Sequence, residues 1–435
     1  MDPGPIPDPT TPATGHGHGH GPAAPVGRTV RIAIAALLVP CALAVLAGLW
    51  VLWPSGSGPA APVGAEQPVL GTVIAAQVTD CAPGSGDGAC AGLVIRMSDG
   101  PLPGRDLAQI VPIEPGTPRF AVGDEIVLGW SGGDPTSPSS YRVADFQRSA
   151  PMWWLAGLFA AAVLVLGRWR GLAALVALGL SFLVLLLFML PAILDGRDPL
   201  TVAVVGSGLI MFLVLYLTHG LSARTSTAVL GTLFSLALIG GLAALFSAAA
   251  RLTGLDDQTR NLISSLGTGV DARGLLLAGM VIGALGVLDD VTITQTSAVW
   301  ELHAANPALG PRGLFTAAMR IGRDHVSSAV NTLVLAYAGA ALPLMLLFTL
   351  SGRSLGTIAT QQDVATEIVR TLVGSIGLVA SVPVTTAVAA IVASRESPGY
   401  RGAALPTRLA SPSPSTSRST SRPQNAARSS PGRAR

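Results

Sequence analysis

The sequence predicts an all-α polytopic membrane protein with about eight transmembrane helices and a small β-rich domain between the first two. Three observations predict it. Half of the 435 residues are hydrophobic and only 12% are charged, more apolar surface than a soluble globule of this length can hide. Apolar runs of about 20 residues, the length that crosses roughly 30 Å of hydrocarbon, recur along the chain. Between residues 54 and 150 these runs stop, and short β-type segments stand between turn residues instead.

Residues 1–30 open with MDPGPIPDPTTPATGHGHGHGPAAP, too rich in Pro and Gly to bury a core, and read as a disordered cytoplasmic extension. His16, His18 and His20 alternate within it. Imidazoles bind soft divalent metals, but three on a flexible chain hold one weakly, and low-complexity drift is the preferred reading. Residues 31–53 form the first helix. Their apolar run is longer than a signal peptide's, so an uncleaved anchor is expected despite the small residues of PAAPVGA. The stretch LVPC resembles a lipoprotein signal, but Pro40 and the apolar residues after Cys41 favour a cysteine packed within the span.

Within residues 54–150, LGTVIAAQVTD, GLVIRMSDG, DLAQIVPI, RFAVGDEIVLGW and YRVADF are each of strand length and bounded by Gly, Pro, Asp or Ser. Five short strands suggest a small barrel of OB-like type. Outside the cytoplasm, an oxidising setting would permit a disulfide between Cys81 and Cys90. The domain carries neither a sugar-binding aromatic cluster nor a catalytic constellation.

Residues 151–393 supply seven further helices: 152–167, 172–194, 200–218, 225–250, 274–300, 329–350 and 368–393. No internal repeat is visible. Orientation follows from arginine, because the chain has no lysine. Arg28, Arg31, Arg168, Arg170, Arg224, Arg312, Arg320, Arg323 and eight arginines after residue 393 fall on one side if both termini are cytoplasmic. The loop with Arg251, Arg260 and Arg273 dissents, although Asp256, Asp257 and Asp271 accompany them. Residues 394–435 read as a disordered Arg/Ser/Pro-rich cytoplasmic tail drawn to an anionic leaflet.

The chemistry concentrates in GVLDDVTITQTSAVWEL, which follows GLLLAGMVIGAL without interruption. An Asp at a helix centre costs roughly 2.5–3.5 kcal/mol on insertion scales, so Asp289 and Asp290 must face protein, water or a bound cation. At 1.5 Å per residue the pair lies roughly 15 Å from Trp300, expected as a cytoplasmic interface anchor. Asp290, Thr294, Ser297 and Glu301 recur on one helical face, and Asp289, Thr292 and Thr296 form the neighbouring stripe. Such oxygens suit a hydrated path or a cation site. The alternative is that the aspartates only fix the bundle by hydrogen bonds or by pairing with a buried arginine. Gly279 and Gly283 offer a small-xxx-small contact for a close neighbouring helix.

Enzyme readings fare worse. Intramembrane aspartyl proteolysis needs carboxylates converging from two helices, whereas adjacent residues on one helix point about 100° apart. HExxH is absent. A DDxxD motif would require Asp at Ile293, and the further acidic and His-bearing loops of sugar-phosphate polyprenyl transferases are missing. The chain is therefore not expected to be an enzyme, and no cofactor or nucleic acid is implied.

Downstream, Leu314, Ala318, Ile321 and His325 can share a face while Arg312, Arg320 and Arg323 snorkel, which predicts an interfacial cytoplasmic helix leading into the seventh span. His325 is read as solvated in preference to a proton relay. Asn331 would bond across helices or approach the Asp290 strip, and Pro383 would break the eighth helix or kink it.

The blocks GALGVLDDVTITQTSAVWEL and AMRIGRDHVSSAVNTLVLAYAGAALPLMLLF, in this order and spacing, resemble the YibE/YibF-like family of bacterial membrane proteins. An acidic residue before a hydroxyl-rich stretch, IGRD and NTLxLAYxG match at Asp290, at Ile321 to Asp324 and at Asn331 to Gly339. The resemblance runs from the second span to the eighth and implies a multi-span helical membrane protein; it fixes no activity. The residues themselves suggest a transporter or permease for a small ion or solute in the cell membrane. Asp289, Asp290, Thr292, Thr294, Ser297 and Asn331 are its candidate binding residues, and the lipid bilayer and a second copy of the chain are its expected partners. A scaffold or sensor with an extracytoplasmic recognition domain is the rival class.

Overall fold

The computed structural model describes residues 27–56, 66–81, 89–266, 269–350, 352 and 354–395. The predicted extension up to residue 26, with its three histidines, and the tail from residue 396 lie outside the described residues.

Strands β1 (Gln67–Asp80), β2 (Ala89–Met97), β3 (Asp106–Pro112), β4 (Glu125–Trp130) and β5 (Tyr141–Phe146) form one antiparallel sheet in the order β3-β2-β1-β4-β5. At 14 residues β1 is long enough to pair β4 along its first half and β2 along its second. A bulge between Val73 and Ala75 bends it there. The bend curls the sheet, and the inward residues of all five strands, among them Val69, Leu93, Leu107, Ile126, Leu128 and Tyr141, close on one apolar core. Gln109 Nε2 donates to the Pro138 carbonyl at 2.7 Å, tying β3 to the turn before β5. Cys81 and Cys90 are joined by a disulfide with Cα atoms 5.0 Å apart, across the β1–β2 connection. Residues 82–88 between them lie outside the described residues.

Helix α1 (Arg28–Leu52) precedes the sheet, and α2 (Ser149–Val184) follows it. Through a π-helical turn at Leu185–Met189, α2 runs on into α3 (Leu190–Leu194). Next come α4 (Pro199–His219), α5 (Ala223–Ala249), the short α6 (Asp257–Leu266), α7 (Ala272–Ala305), α8 (Pro311–Ala340), α9 (Leu342–Leu350), α10 (Leu355–Ala359) and α11 (Gln362–Ala393). Among the described residues six helical runs are long and apolar enough to cross a membrane, and α8 with α9, bent by 59°, makes a seventh. The expected eight therefore differs by one, and the difference lies in Ser149–Leu194, a single run of 46 residues. A straight helix of that length would measure about 69 Å, twice what a bilayer needs. The run is not straight: Arg168 has φ 51° and ψ −127°. A Cβ placed on Gly171 would meet the Val163 carbonyl eight residues earlier. In a continuous helix those positions stand about 12 Å apart, so the chain turns back on itself at Arg168.

Contacts fix the directions of the helices. Arg224 meets Glu301, Thr232 meets Thr292, and Arg273 meets the Ala244 carbonyl, so α5 runs antiparallel to α7. Gln295 touches both Thr386 and the Ala318 carbonyl, while a Cβ on Gly374 would touch Leu333; α11 is parallel to α7 and α8 opposes both. Gly274 abuts Pro199, which sets the starts of α4 and α7 at one end, and Gly48 on α1 abuts Val205. At one end of the bundle a Cβ on Gly27 would lie 3.9 Å from the Arg395 carbonyl, so α1 begins where α11 ends. At the other end Ser55 donates its N–H to Asp195 at 2.6 Å, and Thr253 donates to Gln362 at 2.8 Å.

Three expectations are corrected. The predicted interfacial helix is not a separate element: α8 is continuous from Pro311, Leu314, Ala318 and Gly322 are buried in the bundle, and the missing side chain at Gly322 lets α8 close on α7 and α11. Pro383 does not break α11. The Ser381 and Thr386 hydroxyls donate to the Leu378 and Val382 carbonyls at 2.7 and 2.6 Å, which holds the backbone around the ring. Trp300 is buried among apolar residues of the bundle instead of anchoring an interface.

Candidate ion-binding site within the helix bundle

Helix α7 is the centre of the bundle. Successive residues turn by about 100°, so Asp289 and Asp290 must look in different directions. The helix buries Val291, Thr292, Ile293, Gln295 and Thr296, leaving Asp290 and Thr294 exposed on the opposite side.

On the inner side, Thr292 Oγ1 lies 2.8 Å from Thr232 Oγ1 of α5 and 3.3 Å from the Asp289 carbonyl. Thr232 and Thr292 thus pair their hydroxyls one turn of α7 from Asp289. Asp289 Oδ1 is buried with no hydrogen-bond partner. One turn along, the Gln295 side-chain amide donates to the Ala318 carbonyl at 2.9 Å and lies 2.8 Å from Thr386 Oγ1. Thr296 donates back to the Thr292 carbonyl at 2.7 Å. The result is a polar belt crossing α5, α7, α8 and α11 inside an apolar bundle. Two glycines permit it: a Cβ on Gly231 would strike Thr385 Oγ1, and a Cβ on Gly322 would lie 2.6 Å from Val382 Cγ1 and 2.8 Å from Gln295 Oε1.

The outer side holds Asp290 and Thr294, and Ser297 is only partly covered. Arg224 closes its far end, donating to the Ser297 carbonyl at 3.0 Å and to Glu301 at 3.1 Å. The two predicted stripes therefore separate: Asp289, Thr292 and Thr296 face the interior, whereas Asp290 and Thr294 face outward. Asn331 is exposed on α8 and makes no hydrogen bond to Asp290. Among the described residues nothing lies within 4 Å of a Cβ on Gly279, and only the Tyr337 hydroxyl of α8, at 3.0 Å, approaches one on Gly283, so the predicted close helix contact is not formed there. His325 was expected to be solvated, but its Nε2 is enclosed and without a hydrogen-bond partner.

Sequence reasoning missed Thr232, Gln295 and Thr386. Gln295 sits inside TITQT, and its polarity within a span was a usable signal; Thr232 and Thr386 had none, because a lone threonine in an apolar run fits either a packed or a polar environment. It also passed over Arg370 and Glu367 of α11, an ion pair at 2.5 Å whose arginine is visible inside the predicted eighth span. Among the described residues no group of three or more His, Cys, Asp or Glu side chains is arranged to hold a metal ion.

The profile of the YibE/F-like protein family matches residues 155–395, more than half of the chain. That stretch contains all but the first six residues of the membrane-length run after the sheet and every helix of the polar belt. No curated protein and no solved structure matches the chain significantly. The chain belongs to the YibE/F-like protein family.

Proposed function

We propose that the protein moves a small ion or solute across the cell membrane and that the interior face of α7, centred on Asp289, is its charge-bearing site. One observation carries the reading. A carboxylate stands within an apolar bundle with Oδ1 buried and unbonded. A structural carboxylate would satisfy both oxygens, whereas a bound proton or cation would relieve the cost of burying this one. Asp290, one residue on, carries a second charge on the outer face, where water or a second copy of the chain would cover it.

The reversal at Arg168 supports eight crossings, with Arg28, Arg168, Arg224, Arg312 and Arg395 at the end where α1 begins and α11 finishes. Arginine enrichment at that end makes it the cytoplasmic one, with both termini inside. The curled sheet is then extracytoplasmic. Its strand order, with β3 and β5 at the open seam, supports an OB-like barrel acting as a lid or assembly module.

Reconstitution into proteoliposomes tests the reading across a panel of cations and small anions, comparing wild type with Asp289→Asn and Asp290→Asn. Flux that fails in Asp289→Asn, while the variant keeps its fold, is expected. Equal flux in wild type and both variants would leave the scaffold reading in place.

A further inference from the structure

We propose that Asp289 is a proton-binding site, and that the ion it exchanges is a proton and not a metal cation. This rests on the transport reading for its purpose, but the geometry behind it is separate. Calcium takes six to eight oxygens, and magnesium six in near-ideal octahedral array. The side-chain oxygens that the hydrogen bonds bring next to Asp289 are two hydroxyls, Thr292 Oγ1 at 3.3 Å from the Asp289 carbonyl and its partner Thr232 Oγ1 at 2.8 Å. No third carboxylate, His or Cys completes a cage among the described residues.

Counter-charge is also missing. On α4 the titratable groups are Tyr216, which bonds Ser226, and His219 at the helix end, on the side of Asp290. On α5 it is Arg224, already bonded to Ser297 and Glu301. On α11, Glu367 and Arg370 pair with each other, and Asp363 lies in the first turn. Helix α8 carries Arg312, Arg320, Arg323, Asp324, His325 and Tyr337 and approaches α7 from the Gln295 side, away from Thr232. None of these bonds to Asp289.

A proton needs none of that. When Asp289 is ionised, Thr292 donates to Thr232, which leaves the Thr232 proton free to turn toward the carboxylate. When a proton adds to a carboxylate oxygen, the new O–H donates to Thr232, Thr232 donates to Thr292, and Thr292 donates to the Asp289 carbonyl at 3.3 Å. Either hydroxyl of the pair can be the donor. The same atoms serve both states by rotation of two O–H bonds, so a proton binds and leaves without moving a helix.

The full-length protein in lipid nanodiscs tests this with dicyclohexylcarbodiimide, which modifies buried carboxyl groups in their protonated form, and mass spectrometry to locate the adduct. The expected result is an adduct on Asp289, absent in Asp289→Asn, whose yield falls about tenfold per pH unit above its midpoint. Saturating Na⁺, K⁺, Mg²⁺ or Ca²⁺ should leave it unchanged, and Thr232→Val should shift the midpoint. Protection by one of these cations at fixed pH would overturn the proposal, as would a folded wild-type protein unmodified at Asp289 at every pH. Proton-dependent labelling without flux removes the transport reading alone. Asp289-dependent flux with cation-protected labelling removes the proton alone.

Discussion

Gln295 is 2% exposed and joins three helices through one amide, so its loss should be felt more than that of any hydroxyl on the surface of the bundle. Gln295→Leu is expected to cost about 1 kcal/mol, the range of interhelical hydrogen bonds in membranes, read from the unfolding midpoint in mixed detergent micelles. Gly322→Ala should cost more, about 1–3 kcal/mol, because the added methyl meets Val382 and Gln295 where neither helix can retreat. In the sheet domain the Arg142 guanidinium, hydrogen-bonded to Glu66 at 2.8 Å, holds that carboxyl below its ordinary value of 4.5. The folded domain therefore binds this proton less readily than the unfolded chain. Its stabilising effect is present above the ordinary value and is lost as pH falls through the lower, folded one. Hydrogen exchange across β1 and β5 should quicken on acidification through that window, and Arg142→Ala should flatten the response. The pair is surface-exposed, so the effect will be small.

Single elements were recognisable where one period dominated. The apolar runs became α1, α4, α5, α7 and α11 with boundaries within a few residues, and the five β-type segments became the five strands. The start of α8 was misread because its sequence is amphipathic, and a period alone cannot say whether the polar face meets headgroups or neighbouring helices. The β1–β2 connection offers a test at this scale. By loop entropy a disulfide closing about ten residues contributes about 2.5–3 kcal/mol, less any strain. Cys81→Ser with Cys90→Ser should lower the urea midpoint of the sheet domain accordingly, with little change in the detergent stability of the helices. An equal loss in both would mean that the two parts unfold together.

For the whole molecule the strongest prediction concerns its ends. Gly27 and Arg395 lie at the same end of the bundle, and the sheet emerges from the other. Single cysteines introduced at positions 27 and 395, in a chain lacking Cys41, should react with a membrane-impermeant maleimide from the same face of oriented vesicles. A cysteine at Ser149 should react from the opposite face, and one at Gly167 from the face of the termini, if the turn at Arg168 separates two crossings.

What the sequence by itself determined was the class of protein, the positions of the membrane-length helices and strands, and the region where charge enters the hydrocarbon. These follow from composition and period, which every residue reports locally. It also brought out Asp289 and Asp290 as a pair. Only the tertiary structure separated them, since facing depends on which helices surround α7, and that is set by contacts between residues far apart in the chain. Thr232 lies sixty positions from Thr292 and Thr386 ninety-one from Gln295. No local pattern links such residues; the packing of the bundle does, and at Gly231 and Gly322 it brings α11 close against α5 and α8.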